Sequence, residues 1–270
     1  MEASNPRPLA VVTGASSGIG RDLAKQFAEN GFDLIVCAED ADIEAAAREL
    51  EAMGARAETV QVDLGRPEGV EELHRRIRER APAADAVALN AGIGMGGAFV
   101  GDTDLDQELQ IVDLNCRSTV HLAKRVLPDM VAAGSGRVLF TSSIASTMPG
   151  SFQAVYNASK SFVQSFALAL RDELKDTGVT ITSLMPGPTE TEFFERADML
   201  DTRVGASDGK DDPADVARQG FEAMMKGDER VVAASFGTKL QGRGSRFLPD
   251  AAKSALHRKM AEPGSAKKDS

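Results

Sequence analysis

The chain has 270 residues and 28.6 kDa, with 41 acidic against 31 basic side chains and a formal net charge of −10. Its length suits one large α/β domain or two small ones, and 42% hydrophobic with 27% charged residues is a globular rather than a disordered or collagen-like composition. Cys37 and Cys116 are too few for a disulfide framework, and His74, His121 and His257 lack metal-ligand spacing. No run is apolar enough for a membrane span and no signal segment opens the chain, so the expectation is a cytoplasmic protein without a metal.

The first apolar, β-branched run, 9–13, leads into Thr13-Gly14-Ala15-Ser16-Ser17-Gly18-Ile19-Gly20 and a helix over 19–30. Glycines spaced G-x-x-x-G-x-G between a strand and a helix permit a tight turn and bring backbone amides to a pyrophosphate at the helix N-terminus. A plain tight turn needs no such placement, so Gly14, Ser16, Ser17, Gly18, Ile19 and Gly20 are candidate cofactor residues. The second strand, 33–38, ends at Glu39-Asp40. An acid there bonds adenosine ribose hydroxyls and repels a 2′-phosphate, which favours NAD over NADP. The alternative is that Asp40 or Asp42 opens the next helix, 43–53.

A third strand, 58–63, ends at Asp63 and precedes a helix over 68–80; a fourth, 85–90, ends at Asn90-Ala91-Gly92. Asp and Asn are frequent in strand-end turns, but both sites share the carboxyl edge of the sheet, where open α/β folds bind ligands. A long helix over 105–132 follows, then a strand over 137–142 that delivers Ser142-Ser143 to the same edge. A helix over 154–176 begins with Tyr156-Asn157-Ala158-Ser159-Lys160. Tyr156, the one tyrosine of the chain, and Lys160 are i, i+4 and share a face. A phenol titrating near ~10 is a poor acid or base at neutral pH; a neighbouring ammonium and a positively charged nicotinamide ring favour its phenolate and bring its pKa toward the working range. A strand over 180–185, a polar segment 192–212 read as a lid, a helix over 213–226 and a strand over 230–234 complete the alternation. Near-continuous apolar strands alternating with helices predict one Rossmann-like, doubly wound parallel sheet of about seven strands.

With these motifs the chain resembles the short-chain dehydrogenase/reductase family over roughly residues 7 to 235. The matching residues are the 13–20 glycine loop, Asp63-Leu64, Asn90-Ala91-Gly92, Asn115, Ser143, Tyr156, Lys160 and Pro186-Gly187. Leu89 stands where the family usually has a further asparagine. The resemblance implies that Tyr156 is the general acid/base and that Lys160 lowers its pKa and binds nicotinamide-ribose hydroxyls. It further implies that Ser143, rather than Ser142, holds the substrate oxygen, and that Asn115 holds a water linking Lys160 to solvent; the alternative for Asn115 is an inward-facing polar group of its helix. Leu64, Ala91, Gly92, Pro186, Gly187, Thr189 and Thr191 are the further cofactor contacts it implies. The implied function is interconversion of a ketone or aldehyde and an alcohol by hydride transfer with NAD or NADP, in a homodimer or homotetramer joined through the Asn115 and Tyr156 helices. Two other readings are a catalytically silent nucleotide-binding regulator and an isomerase or dehydratase of the same superfamily. The first requires loss of the Ser–Tyr–Lys set, which is intact, and the second is disfavoured by the glycine spacing and short chain.

Domain boundaries are read as a catalytic domain over 1–235 and an extension over 236–270. The extension carries eight basic and three acidic residues. Without interleaved aromatics it reads as a solvated or self-docking segment and not as a nucleic-acid partner. The substrate is read as a small, hydrophobic ketone or secondary alcohol. The loop 93–104 and the lid shape its pocket, with Phe99, Phe152, Phe193, Phe194, Met95, Met148 and Met185 as candidate lining or core.

Overall fold

The computed structural model describes residues 7–233 and 249–266. Seven strands form one parallel sheet in the order β3-β2-β1-β4-β5-β6-β7. They are β1 (Leu9–Thr13), β2 (Asp33–Ala38), β3 (Ala57–Gln61), β4 (Ala86–Leu89), β5 (Gly136–Thr141), β6 (Val179–Pro186) and β7 (Arg230–Ala233). The predicted strand ends hold to within a few residues, and Ala234 lies outside the described residues.

Alternation along the strands divides the core in two. Ala10 and Val12 of β1 face a cluster with α1 (Gly18–Glu29), α2 (Ile43–Ala52) and α8 (Pro213–Lys226). Leu9 and Val11 face the opposite cluster with α3 (Pro67–Arg80), α5 (Ser118–Ala133) and α6 (Ala154–Glu173). Phe27 of α1 ties the first layer together: its ring meets those of Phe32 and Phe221 edge-on, both at 5.2 Å.

β1 is flanked by β2 on one side and β4 on the other, so the chain reverses direction across the sheet at this pair. The crevice opened above their carboxyl ends is where a doubly wound fold accepts ligands. Thr13 closes its floor: its hydroxyl accepts from the amides of Asn90 (2.9 Å) and Ala91 (3.0 Å).

The long helix predicted over 105–132 is not continuous. It comprises α4 (Leu105–Ile111), a π-helical stretch (Val112–Arg117) and α5. The wider register is held by tertiary bonds: the Asn115 amide bridges the backbone N–H and C=O of Ile93, both at 2.9 Å. Within the helix, Ser118 Oγ donates to the Leu114 carbonyl at 2.5 Å and Thr119 Oγ1 to that of Asn115 at 2.8 Å. Such π-bulges recur where a helix is shaped for a site.

The lid 192–212 also has more order than expected. It contains the short helix α7 (Phe193–Arg196) and is pinned by a bridge between Thr189 and Asp211. The basic extension is partly a helix, α9 (Asp250–Ala261), which returns to the body. Val204 of the lid donates to the carbonyl of Met260, and Ser151 Oγ reaches that of Ser254. Residues 236–248 and 267–270 of that segment lie outside the described residues. Among the described residues, no helix is long and apolar enough to cross a membrane.

Candidate active site

A cleft of about 720 Å³ runs along the carboxyl edge of the sheet from the glycine loop to the lid. At one end stands the loop Gly14–Gly20. Gly14 and Gly18 have φ of +66° and +52°, a left-handed conformation that glycine adopts without strain. A Cβ at Gly20 would lie 1.9 Å from the Gly14 carbonyl oxygen, so glycine alone permits the close turn. Helix α1 starts at this loop with no side-chain cap and no acid in its first turn. Its amides and the positive end of its dipole therefore face the cleft, ready for a phosphate group.

The strand ends contribute next. Glu39, exposed, and Asp40 line the cleft beyond β2. Asp40 does not cap α2 with its side chain; it receives the Ser16 hydroxyl at 2.9 Å and the Asp42 amide at 3.1 Å, clasping the glycine loop. Asp63 accepts from the Gly65 amide at 2.8 Å and pairs with Arg66 at 3.2 Å, while Leu64 is buried beside it. Asn90 Nδ2 donates to the Thr13 carbonyl and its Oδ1 accepts from Thr141 Oγ1 at 3.1 Å, so it braces three adjacent strands. No basic residue stands among Ser16, Ser17, Glu39 and Asp40 to meet a ribose phosphate.

At the other end, β5 and α6 bring Ser143, Tyr156 and Lys160 to one wall. Ser142 is committed elsewhere, donating to the Lys160 carbonyl at 2.9 Å. Ser143 Oγ accepts from the Ala145 amide at 3.1 Å and hydrogen-bonds toward Tyr156. Burial pushes the Tyr156 phenol up to about 12, with the Ser143 bond opposing it. The lowering expected from the Lys160 ammonium together with a positively charged nicotinamide ring belongs to the loaded site. Lys160 is itself buried, which pushes it down to about 8; Nζ donates to the Thr141 carbonyl at 3.1 Å and lies 5.9 Å from the Tyr156 ring centroid. In the protein alone, desolvation outweighs the attraction of the two groups.

Asn115 lies beside this set in the π-helical stretch. Its amide is fully engaged with Ile93 and, at 2.9 Å, with Ser159 Oγ. A Cβ on Gly92 would sit 3.0 Å from Lys160 Nζ and 3.1 Å from Asn115 Oδ1, which keeps that position small. Beyond β6, Pro186, Gly187, Thr189 and Thr191 line the cleft. Thr189 Oγ1 donates to the Gly187 carbonyl at 2.9 Å, and the Thr191 methyl faces Gly18 across the crevice.

The apolar lining is divided. Met95, Met148, Phe193 and Phe194 face the cleft, with Phe193 5.2 Å from Tyr156. Met185 is instead buried in β6, Phe99 lines a separate groove, and Phe152 packs beneath the lid. Leu256, His257, Met260 and Ala261 of α9 form part of the wall, and they lie in the segment the sequence reading treats as an extension. The signal was present: Asp250 in the first turn and Arg258 and Lys259 in the last are dipole-matched helix ends.

A family model described as short chain dehydrogenase matches residues 8–199. An uncharacterized oxidoreductase of Staphylococcus saprophyticus is 32% identical over 220 residues, covering 81% of this chain and 91% of that protein. Dehydrogenase/reductase SDR family member 7B of Mus musculus is 31% identical over 239 residues, covering 84% and 73%. Among solved structures, a short-chain dehydrogenase from Sphingobium yanoikuyae in complex with NADPH superposes with a TM-score of 0.79 at 26% identity, covering 92% of this chain and 94% of that one. With the sheet order, the glycine loop and these matches in agreement, the chain belongs to the short-chain dehydrogenase family of NAD(P)-dependent oxidoreductases.

Proposed function

We propose that the protein interconverts a ketone or aldehyde and the corresponding alcohol, with Tyr156 as the general acid/base. The observation that carries this reading is the convergence of Ser143, Tyr156 and Lys160 at the far end of a cleft that begins at an uncapped, glycine-lined helix N-terminus. A dinucleotide fits the residues present: amides of the 14–20 loop for the pyrophosphate, Asp63 and Leu64 toward the adenine, and Asn90, Ala91 and Gly92 along its length. Lys160, Pro186, Gly187, Thr189 and Thr191 surround the nicotinamide end. When bound, the nicotinamide supplies or accepts the hydride.

The chain's own groups manage the oxygen and its proton. The Ser143 and Tyr156 hydroxyls donate to the substrate oxygen and stabilise charge as it develops there. Tyr156 then passes its proton to that oxygen in reduction, and takes it back in oxidation. Lys160, held by the Thr141 carbonyl, steadies the phenolate left behind. Asn115 positions this end of α6 through Ser159. In this reading Asn115 also holds a water that links Lys160 to solvent.

Glu39 and Asp40 support a preference for NADH over NADPH, because a 2′-phosphate would meet two carboxylates and, among the described residues lining that end of the cleft, no cation. Paired titrations with a carbonyl panel, followed by nicotinamide absorbance, test both the reaction and the preference. Turnover with neither cofactor across the panel would overturn the reading. In Glu39→Arg, repulsion becomes attraction between exposed charges, so the kcat/KM ratio should move toward NADPH by about tenfold. An unchanged ratio would remove Glu39 from cofactor selection.

Assembly as a homodimer or homotetramer is part of this proposal. Phe99, Leu105, Leu109, Val112 and Phe162 are exposed around α4 and α6, beside a shallow apolar groove at Cys116 and Ala158. Light scattering should return a multiple of 28.6 kDa, and Leu109→Glu with Phe162→Glu should lower it. A monomeric native protein would count against assembly. The free thiols Cys37 and Cys116 suit a reducing, cytoplasmic setting.

A further inference from the structure

The substrate end of the cleft holds two buried polar side chains that the reaction does not use. Gln153, 7% exposed, is the N-cap residue of α6 and provides no side-chain cap; its amide makes no hydrogen bond among the described residues. It lies three residues before Tyr156 and seven before Lys160, on the same helix face, and all three line the cleft. At 1.5 Å of rise per residue, it stands about 4.5 Å beyond Tyr156 on the side away from Lys160. His257 of α9, 8% exposed, lines the same cleft. Its Nδ1 lies 2.9 Å from the Ser151 carbonyl, an oxygen that only accepts, so Nδ1 carries the hydrogen. In the neutral ring, which burial favours, Nε2 is an acceptor with no partner among the described residues.

The backbone around Gln153 is held from two sides. Phe152 adopts φ +66°, a strained conformation for a residue with a side chain, and its carbonyl accepts from the Gly97 amide at 3.0 Å. From α9, the Arg258 guanidinium covers the Phe152 ring at 4.9 Å while His257 fixes Ser151. This places an amide donor and an imidazole acceptor in a cleft whose lining also includes the apolar Met148, Phe193, Leu256 and Met260. Among the described residues, the lining offers no unpaired cation beyond the reaction centre: Arg196 is bonded to Glu192 at 2.5 Å.

Resting on the carbonyl–alcohol reading of this cleft, we propose that Gln153 and His257 are specificity-determining residues. They recognise a hydroxyl carried several bonds from the reacting carbon of an uncharged, otherwise apolar substrate. The hydroxyl donates to His257 Nε2 and accepts from the Gln153 amide; the substrate class is therefore a hydroxyketone, or the matching diol in oxidation. A site built to bond a hydroxyl discriminates against the analogue lacking it, because its buried polar groups are then left unpaired.

The test compares linear methyl ketones with and without a terminal hydroxyl, and the corresponding keto acids, using the full-length protein. The wild type should favour the hydroxylated member by about tenfold or more in kcat/KM, chiefly through KM, and should disfavour the acids. Gln153→Met keeps the volume, and His257→Asn retains a donor toward Ser151 while losing the Nε2 acceptor. Each should reduce the hydroxylated-to-plain ratio about five- to tenfold. Ligand-observed NMR with the diols and plain alcohols reads the same preference as binding, independently of turnover. Absence of turnover with selective diol binding would overturn the oxidoreductase reading and uphold the recognition site. A wild type that turns over or binds both members equally, binds neither, or prefers the acids overturns the proposal, as do variants with an unaltered ratio.

Discussion

Replacing Tyr156 with Phe should lower kcat by about 10²–10⁴-fold, the usual contribution of a positioned general acid/base. Cofactor affinity should change by less than about tenfold, the worth of one hydrogen bond. The substitution removes one oxygen from a half-buried side chain whose ring lies tilted 5.2 Å from that of Phe193, so the fold should be retained. No other phenol can substitute, because the chain has a single tyrosine. The same fact supplies a spectroscopic check. With one Tyr and no Trp, tyrosinate absorbance reports this group alone. In the protein without cofactor it should appear near pH 12 rather than near ~10. Full turnover by Tyr156→Phe would remove Tyr156 from the reaction, and a midpoint near ~10 would show that the phenol is hydrated rather than buried.

How far the sequence leads depends on whether the determining contacts are local. The glycine loop, the strand-end Asp63 and Asn90 and the Tyr156/Lys160 pair are each defined within a few residues, and each is legible before the fold is known. The sheet is legible for the same reason: its strands are short apolar runs whose alternation with helices leaves one economical topology. The π-helical stretch at Asn115 is different. Residues 105–132 read as plain helix, and the register change is fixed by bonds to Ile93 and Ser159, 22 and 44 residues away. Ser143 was separable from Ser142 only through family spacing; the structure adds that Ser142 is occupied by the Lys160 carbonyl. The α9 wall was least legible. His257 meets Ser151 across 106 residues, and the net positive charge of its segment, which reads as solvated or self-docking, does not say which surface it docks on. The direction of the Tyr156 shift in the cofactor-free protein is hidden from sequence for a related reason. Sequence spacing gives the neighbour, Lys160, but not the burial that outweighs it.

That burial makes Lys160 the second informative substitution. Its amine is pushed from 10.5 down to about 8, so below pH 8 the folded protein holds an ammonium that the unfolded chain solvates better. A difference of this size corresponds to about 3 kcal/mol of destabilisation at neutral pH. The sign follows from proton counts: between pH 8 and 10.5 the unfolded chain binds the proton and the folded protein does not, so stability rises with pH across that window. Lys160→Met removes the charge but leaves the Thr141 carbonyl without its donor, a loss of about 1 kcal/mol. The cofactor-free variant should therefore be more stable than the native protein by about 2 kcal/mol at pH 7, raising Tm by about 5 °C. The gain should shrink toward pH 10, where native Lys160 is neutral when folded. Activity should fall by about 10²-fold or more, because the phenolate loses its neighbouring cation. Thermal unfolding of both proteins from pH 7 to 10 reads the stability arm, and turnover at pH 7 reads the catalytic one. A variant less stable at pH 7 would show that the Thr141 bond outweighs the desolvated charge. Retained activity would show that the phenol does not depend on Lys160. The combination expected here, a sturdier fold with lost turnover, is what distinguishes a strained catalytic cation from a structural one.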